Sequence, residues 1–233
     1  MQKVYRNTSI FICLILIGIQ WGFYQSYTSQ FPHFKNTTTL IHIHGALLMT
    51  WMLLLISQPL LIQWGRAKLH RTIGKVSYVL GPLIIVSLFL IGRGSYLRGL
   101  GNIPEQENLT FIVLDMRGFL SFAIFWCLAM INRKSPDSHM RYMIATGILA
   151  IGPGVGRGLV HSFGLNFGAA LTITDVLDLV IVGVLLGADL YKQKNYKPFL
   201  TVFVTLLVGS VLWQLRYTAF WQTFAKQYAA LFY

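Results

Sequence analysis

Residues able to bind a ligand or move a proton are few in this 233-residue chain, which carries six histidines and only seven Asp plus Glu. Several of them interrupt long apolar runs: His42, His44, Asp115, Arg117, Arg157, His161, Asp175 and Asp178. Imidazole together with carboxylate is a ligand set for a divalent transition metal, Zn, Fe, Mn or Cu(II), and the mixture does not choose among them. That reading draws on His42, His44, Asp115, His161, Asp175 and Asp178, with Arg117 and Arg157 pairing charge or binding an anionic group. A second set, His70 and His139, stands at the edges of apolar runs. Asp175 and Asp178, three residues apart and so on one helical face, also suit a proton or cation path, a role that needs no cofactor. No catalytic residue is assigned, because no GxGxxG, P-loop, GxSxG, HExxH or zinc-finger spacing occurs. Cys13 and Cys127 lie singly in apolar segments.

These residues need elements that hold them in lipid. The chain is 55% hydrophobic and 11% charged, too little polar surface for a water-soluble globule of this length. Apolar runs of about 17 to 25 residues, the length that crosses a hydrocarbon core, occur seven times: Thr8 to Tyr24, Thr38 to Trp64, Ile73 to Gly92, Leu109 to Asn132, Met140 to Phe163, Gly168 to Leu190 and Phe199 to Leu215. The expected fold is all-α and integral to a membrane, a single transmembrane domain over residues 1–233 with spans two to five, residues 38–163, as the core bundle.

Assigning alternate loops to opposite sides gathers Lys3, Arg6, Arg66, Lys68, Arg71, Lys75, Arg133, Lys134, Arg141, Lys192, Lys194 and Lys197 on one side. The other receives only Lys35, Arg93, Arg98, Arg216 and Lys226. The positive-inside rule then places the N-terminus in the cytoplasm and the C-terminus in the periplasm, in a bacterial inner membrane. The net charge of +12 is thus a matter of orientation, and the expected partner is the bilayer, with no nucleic acid. Lys3 and Arg6 resemble the start of a signal peptide, but no small-x-small cleavage site follows, so span one reads as a retained anchor. Over residues 216–233, Tyr217, Phe220, Trp221, Phe224 and Tyr228 recur every three or four positions, which suits an aromatic helix anchoring in the outer interface.

Depth sorts the polar residues into two layers. At about 1.5 Å per residue, His42, His44, Asp115, Arg117, Arg157, His161, Asp175 and Asp178 fall in the outer half, from four different spans. His70 and His139 fall at the cytoplasmic edge. Within span two, His42 and His44 differ by about 200° and cannot both aim at one point. Within span five, His139 and His161 are about 40° apart and share a seam. Between them the run Gly152-Pro153-Gly154-Val155-Gly156-Arg157-Gly158 is poor material for a regular helix and invites a close neighbour, either plain helix packing or the wall of a cavity. Asp115 with Arg157 is one ion pair that would hold helices together.

The segments His44-Gly45-Ala46-Leu47-Leu48-Met49, Trp51, Gln58-Pro59, Arg66, Leu69-His70-Arg71-x-x-Gly74-Lys75-x-x-Tyr78, His139-x-Arg141-Tyr142-Met143 and Gly156-Arg157 resemble an uncharacterised bacterial multi-pass membrane protein family. That resemblance covers spans two to five and implies topology rather than activity. More distantly, the pattern is similar to the superfamily of membrane b-type cytochromes and ferric reductases, where histidines on alternate helices hold haem. It implies haem b between His70 and His139, with Lys68, Arg71, Lys75 and Arg141 as cations for the propionates, and with it a redox partner protein. An outer haem would use His44, but span four reads Leu114-Asp115-Met116-Arg117-Gly118 where its second histidine is expected. Three readings therefore stand: a bis-His haem electron carrier, a non-haem metal protein or metalloenzyme with a His/Asp site, and a cofactor-free sensor, carrier or assembly factor. Small-residue faces serve contacts within and between chains alike, so oligomeric state is not legible.

Overall fold

The computed structural model describes residues 2–35 and 37–233 and is helical, with no strand among them. In chain order the helices are α1 (Gln2–Phe23), α2 (Thr39–Gln63), α3 (Ala67–Gly74), α4 (Ser77–Gly99), α5 (Glu105–Ile131), α6 (Pro136–Ile148), α7 (Ile151–Phe163), α8 (Phe167–Tyr191), α9 (Lys197–Gln214) and α10 (Ala219–Phe232). Seven stretches are long and apolar enough to cross a membrane: α1, α2, α3 with α4, α5, α6 with α7, α8 and α9. Their ends fall where polar residues can satisfy free backbone groups. The side chains of Thr38 and Asn166 accept from the backbone N–H of Ile41 and Ala169. Pro136 and Pro198 stand in first turns, where a missing N–H costs nothing, and Gly164, at φ 65°, ends α7 in the left-handed region.

The α6–α7 stretch is the centre of the bundle, with α1, α2, α5, α8 and α9 around it. Half of its most apolar 18-residue window is buried, against a third or fewer of the corresponding window in every other stretch. Its core contacts include the indole N–H of Trp51 on α2, which donates to Thr146 Oγ1 at 3.0 Å while the same ring lies edge-on to Phe122 of α5.

Two expectations about the helices are corrected. The Gly152–Gly158 run is helical, and the interruption lies just before it, at Leu149 and Ala150. The cause is Pro153: its ring clashes with the carbonyl four residues earlier, that of Leu149, so the helix restarts with Pro153 in the first turn of α7. His139 therefore lies on α6 and His161 on α7. The third stretch starts at Ala67 rather than Ile73, because the basic residues Lys68 and Arg71 are exposed on the surface of α3 instead of preventing it, while Lys75 caps its end. His70 accordingly belongs to a helix, α3.

What approaches the glycine run is α1. A Cβ on Gly22 would collide with the carbonyl of Gly154, one on Gly154 would lie 2.8 Å from Ile19 Cα, and one on Gly158 would lie 2.6 Å from the Trp21 ring. The two backbones meet through small residues on both sides. The aromatic tail is also more than an anchor. Trp221, Ala225 and Ala229 of α10 are buried against Leu109, Ile112 and Val113 of α5, and the Trp221 indole donates to the Leu109 carbonyl at 3.2 Å.

Candidate functional site

At the end of the bundle that carries most of the basic residues, His70 on α3 and His139 on α6 lie within electrostatic range of each other. The Nδ1 of His139 is 2.9 Å from the Ala129 carbonyl oxygen. A carbonyl only accepts, so Nδ1 carries the proton and Nε2 is left with a free lone pair. The Nδ1 of His70 is buried without a hydrogen-bond partner among the described residues, and so are both amide atoms of Gln58 on α2. Gln58 faces α3, since a Cβ on Gly74 would lie 3.4 Å from its Oε1. Two helices, α2 and α3, thus contribute buried polar atoms without partners among the described residues to one neighbourhood, which is unusual for a buried site.

Beside it stands an ion pair that the sequence reading missed. Arg141 of α6 makes a two-pronged pair with Asp189 of α8, Nε to Oδ2 at 2.6 Å and Nη2 to Oδ1 at 2.8 Å, with Phe199 of α9 under the guanidinium. Its Nη1 also donates to the Asp137 carbonyl. Arg141 is therefore committed and is not free for a propionate, a correction to its expected role. The signal for Asp189 was present: it lies 11 residues, or about 20° of helical angle, from Asp178, so α8 carries its acids on one face.

Deeper in the bundle, Arg117 of α5 donates to Asp175 Oδ1 of α8 at 2.5 Å. The stem of Arg117 runs over Gly209 of α9, where a Cβ would lie 2.9 Å from its Cδ. Asp178 is one turn along α8, 3% exposed, and its Oδ1 is buried without a partner among the described residues. Asp115, expected to pair with Arg157, instead presses against Gly92 of α4, with Oδ2 unpartnered. Above it α10 ends in Tyr233, whose ring packs on Phe89, Tyr96 and Tyr228. Burial pushes the phenols of Tyr228 and Tyr233 above their ordinary value.

The remaining predicted ligands are scattered. His42 bonds the Tyr27 hydroxyl at 2.6 Å and packs on Phe34, outside the bundle core. His44 bonds Ser87 Oγ of α4 at 3.0 Å and lies in electrostatic range of Arg157. Arg157 itself donates to the Pro153 carbonyl and covers the Phe23 ring. His161 is exposed, on a groove of about 670 Å³ shared with Cys13, Gln20 and Trp21. Among the described residues no three His, Cys, Asp or Glu side chains come together as a metal would require. His42, His44, Asp115, His161, Asp175 and Asp178 thus do not form one site, because each helix turns its polar residue toward a different neighbour.

No family model, curated protein or solved structure matches the chain, and the geometry at these two clusters carries the interpretation.

Proposed function

We propose that the chain is a multi-pass protein of a bacterial cytoplasmic membrane, with its N-terminus in the cytoplasm and its C-terminus in the periplasm, and that it transfers electrons through a b-type haem held by His70 and His139. The observation that carries this reading is that His70 of α3 and His139 of α6 lie within electrostatic range of each other, with His70 Nδ1 buried without a hydrogen-bond partner among the described residues and His139 Nδ1 held by the Ala129 carbonyl. The donor set fits a haem iron. The Ala129 carbonyl orients the His139 ring and leaves Nε2 as the ligand atom, the arrangement by which ligating histidines are held. His70, partly buried on a short helix, offers the second imidazole. Bound between two imidazoles, haem supplies one-electron transfer with no coordination position left open. Lys68, Arg71 and Lys75 share a helix or its end with His70 and are the cations available to propionates, while Arg141 steadies the start of α6, and with it His139, through Asp189. Gln58 supplies polar atoms to the same neighbourhood.

The test is an absorption spectrum of the detergent-solubilised protein, produced with adequate haem supply, before and after dithionite. A Soret band that shifts on reduction, and that is lost in His70→Ala and in His139→Ala while both variants stay folded, is the expected result. A wild-type protein without that band refutes the haem reading, and a band that survives both substitutions refutes the ligand assignment.

A further inference from the structure

Asp178 is a carboxyl with no compensation. It is 3% exposed, its Oδ1 is buried without a hydrogen-bond partner among the described residues, and it lies about the middle of a membrane-length helix. The charged groups that act on it are Arg117 from α5 and Asp175 from its own helix. Toward this region α7 presents Gly156 against Thr174, and α9 presents Gly209 against the stem of Arg117, neither of which titrates. The one guanidinium is already held by Asp175 at 2.5 Å. Two carboxylates and one cation cannot all be ionised in a low-dielectric interior without leaving an unpaired negative charge, which costs several kcal/mol or more.

We propose that Asp178 is a reversible proton-binding site inside the membrane, with Arg117 as the counter-ion that replaces the proton when it leaves. In the arrangement shown, Asp178 holds the proton on a carboxyl oxygen and Arg117 serves Asp175. On release, the O–H bond of Asp178 breaks, the proton passes to water or to a base that reaches the site, and Arg117 is shared between two carboxylates. The ligand of this site is the proton, and the site is independent of the imidazole pair at the basic end.

Infrared difference spectra of the full chain in nanodiscs, recorded across a pH titration, read protonated carboxyl groups directly through their C=O stretch. Asp115→Asn serves as the background, since Asp115 Oδ2 is also buried without a hydrogen-bond partner among the described residues. The wild-type signal that titrates must vanish in Asp178→Asn. In Asp175→Asn, Arg117 is released to Asp178, so the proton affinity of Asp178 falls by about 10- to 1,000-fold and the titration midpoint moves to lower pH. In Arg117→Gln the cation is gone and the midpoint moves to higher pH. A signal that persists in Asp178→Asn, or an unmoved midpoint in Asp175→Asn, overturns the proposal. If Asp178→Asn does not fold, the Asp175→Asn midpoint alone decides. None of these signals depends on a Soret band, so this site and the haem reading stand or fall separately.

Discussion

Asp189 and Arg141 show how much one residue of an ion pair matters once the pair is out of water. Both side chains are nearly covered, and the two contacts between them are parallel and short. Removing one partner strands the other, a loss of about 3–5 kcal/mol in such cases, whereas replacing both with apolar residues of similar volume is often neutral. Asp189→Asn is therefore expected to lower the thermal midpoint of the detergent-solubilised protein markedly, and the double change Arg141→Met with Asp189→Leu to recover most of it. Equal losses in the single and double variants, followed by tryptophan fluorescence, contradict the pairing. The pair was only half visible beforehand. Arg141 stood out within the His139-x-Arg141-Tyr142-Met143 segment, but Asp189, near the end of α8, was marked only by its spacing from Asp178. A helical wheel says which face a residue occupies and is silent about which helix lies opposite.

At the scale of elements, the crossing of α1 with α7 rests on an absence of side chains. Gly22 has no room for a methyl group, because the Gly154 carbonyl occupies that space, whereas Gly45 on α2 has nothing within 4 Å. Gly22→Ala must push the two helices apart and is expected to cost about 1–3 kcal/mol or more. Gly45→Ala is expected to be neutral or stabilising by up to about 1 kcal/mol. Thermal midpoints of the two variants that coincide rule out the tight crossing. The break between α6 and α7 belongs to the same scale, and it explains why the composition of the glycine run misleads. Proline disturbs the turn before itself, so the irregular residues are Leu149 and Ala150, which look like ordinary helix formers. The glycines that follow are then free to be helical, and their lack of side chains is used for packing.

For the whole molecule, the seven apolar stretches were legible among the described residues, since a bilayer demands about 20 apolar residues per crossing and tolerates few charges. His70 and His139, expected at matching depth, lie within electrostatic range of each other. The supposed outer metal site was not realised, because residues at equal depth on different helices still point in different directions. Orientation is tested with paired reporters at the C-terminus: a phosphatase that works only outside the cytoplasm should be active there, and a fluorescent protein that matures only inside should stay dark. The reverse pattern excludes the proposed topology, and with it the placement of the imidazole pair on the cytoplasmic side.

The glycine contact also sets a timetable for biogenesis. Gly22 and Gly154 are 132 positions apart, so at a synthesis rate of about 5–20 residues per second α1 leaves the ribosome roughly 7 to 26 s ahead of its main partner. Until α7 is made, the notch on α1 has no Gly154 to fill it, and a nascent chain arrested before that point would keep it open to other helices bearing small residues.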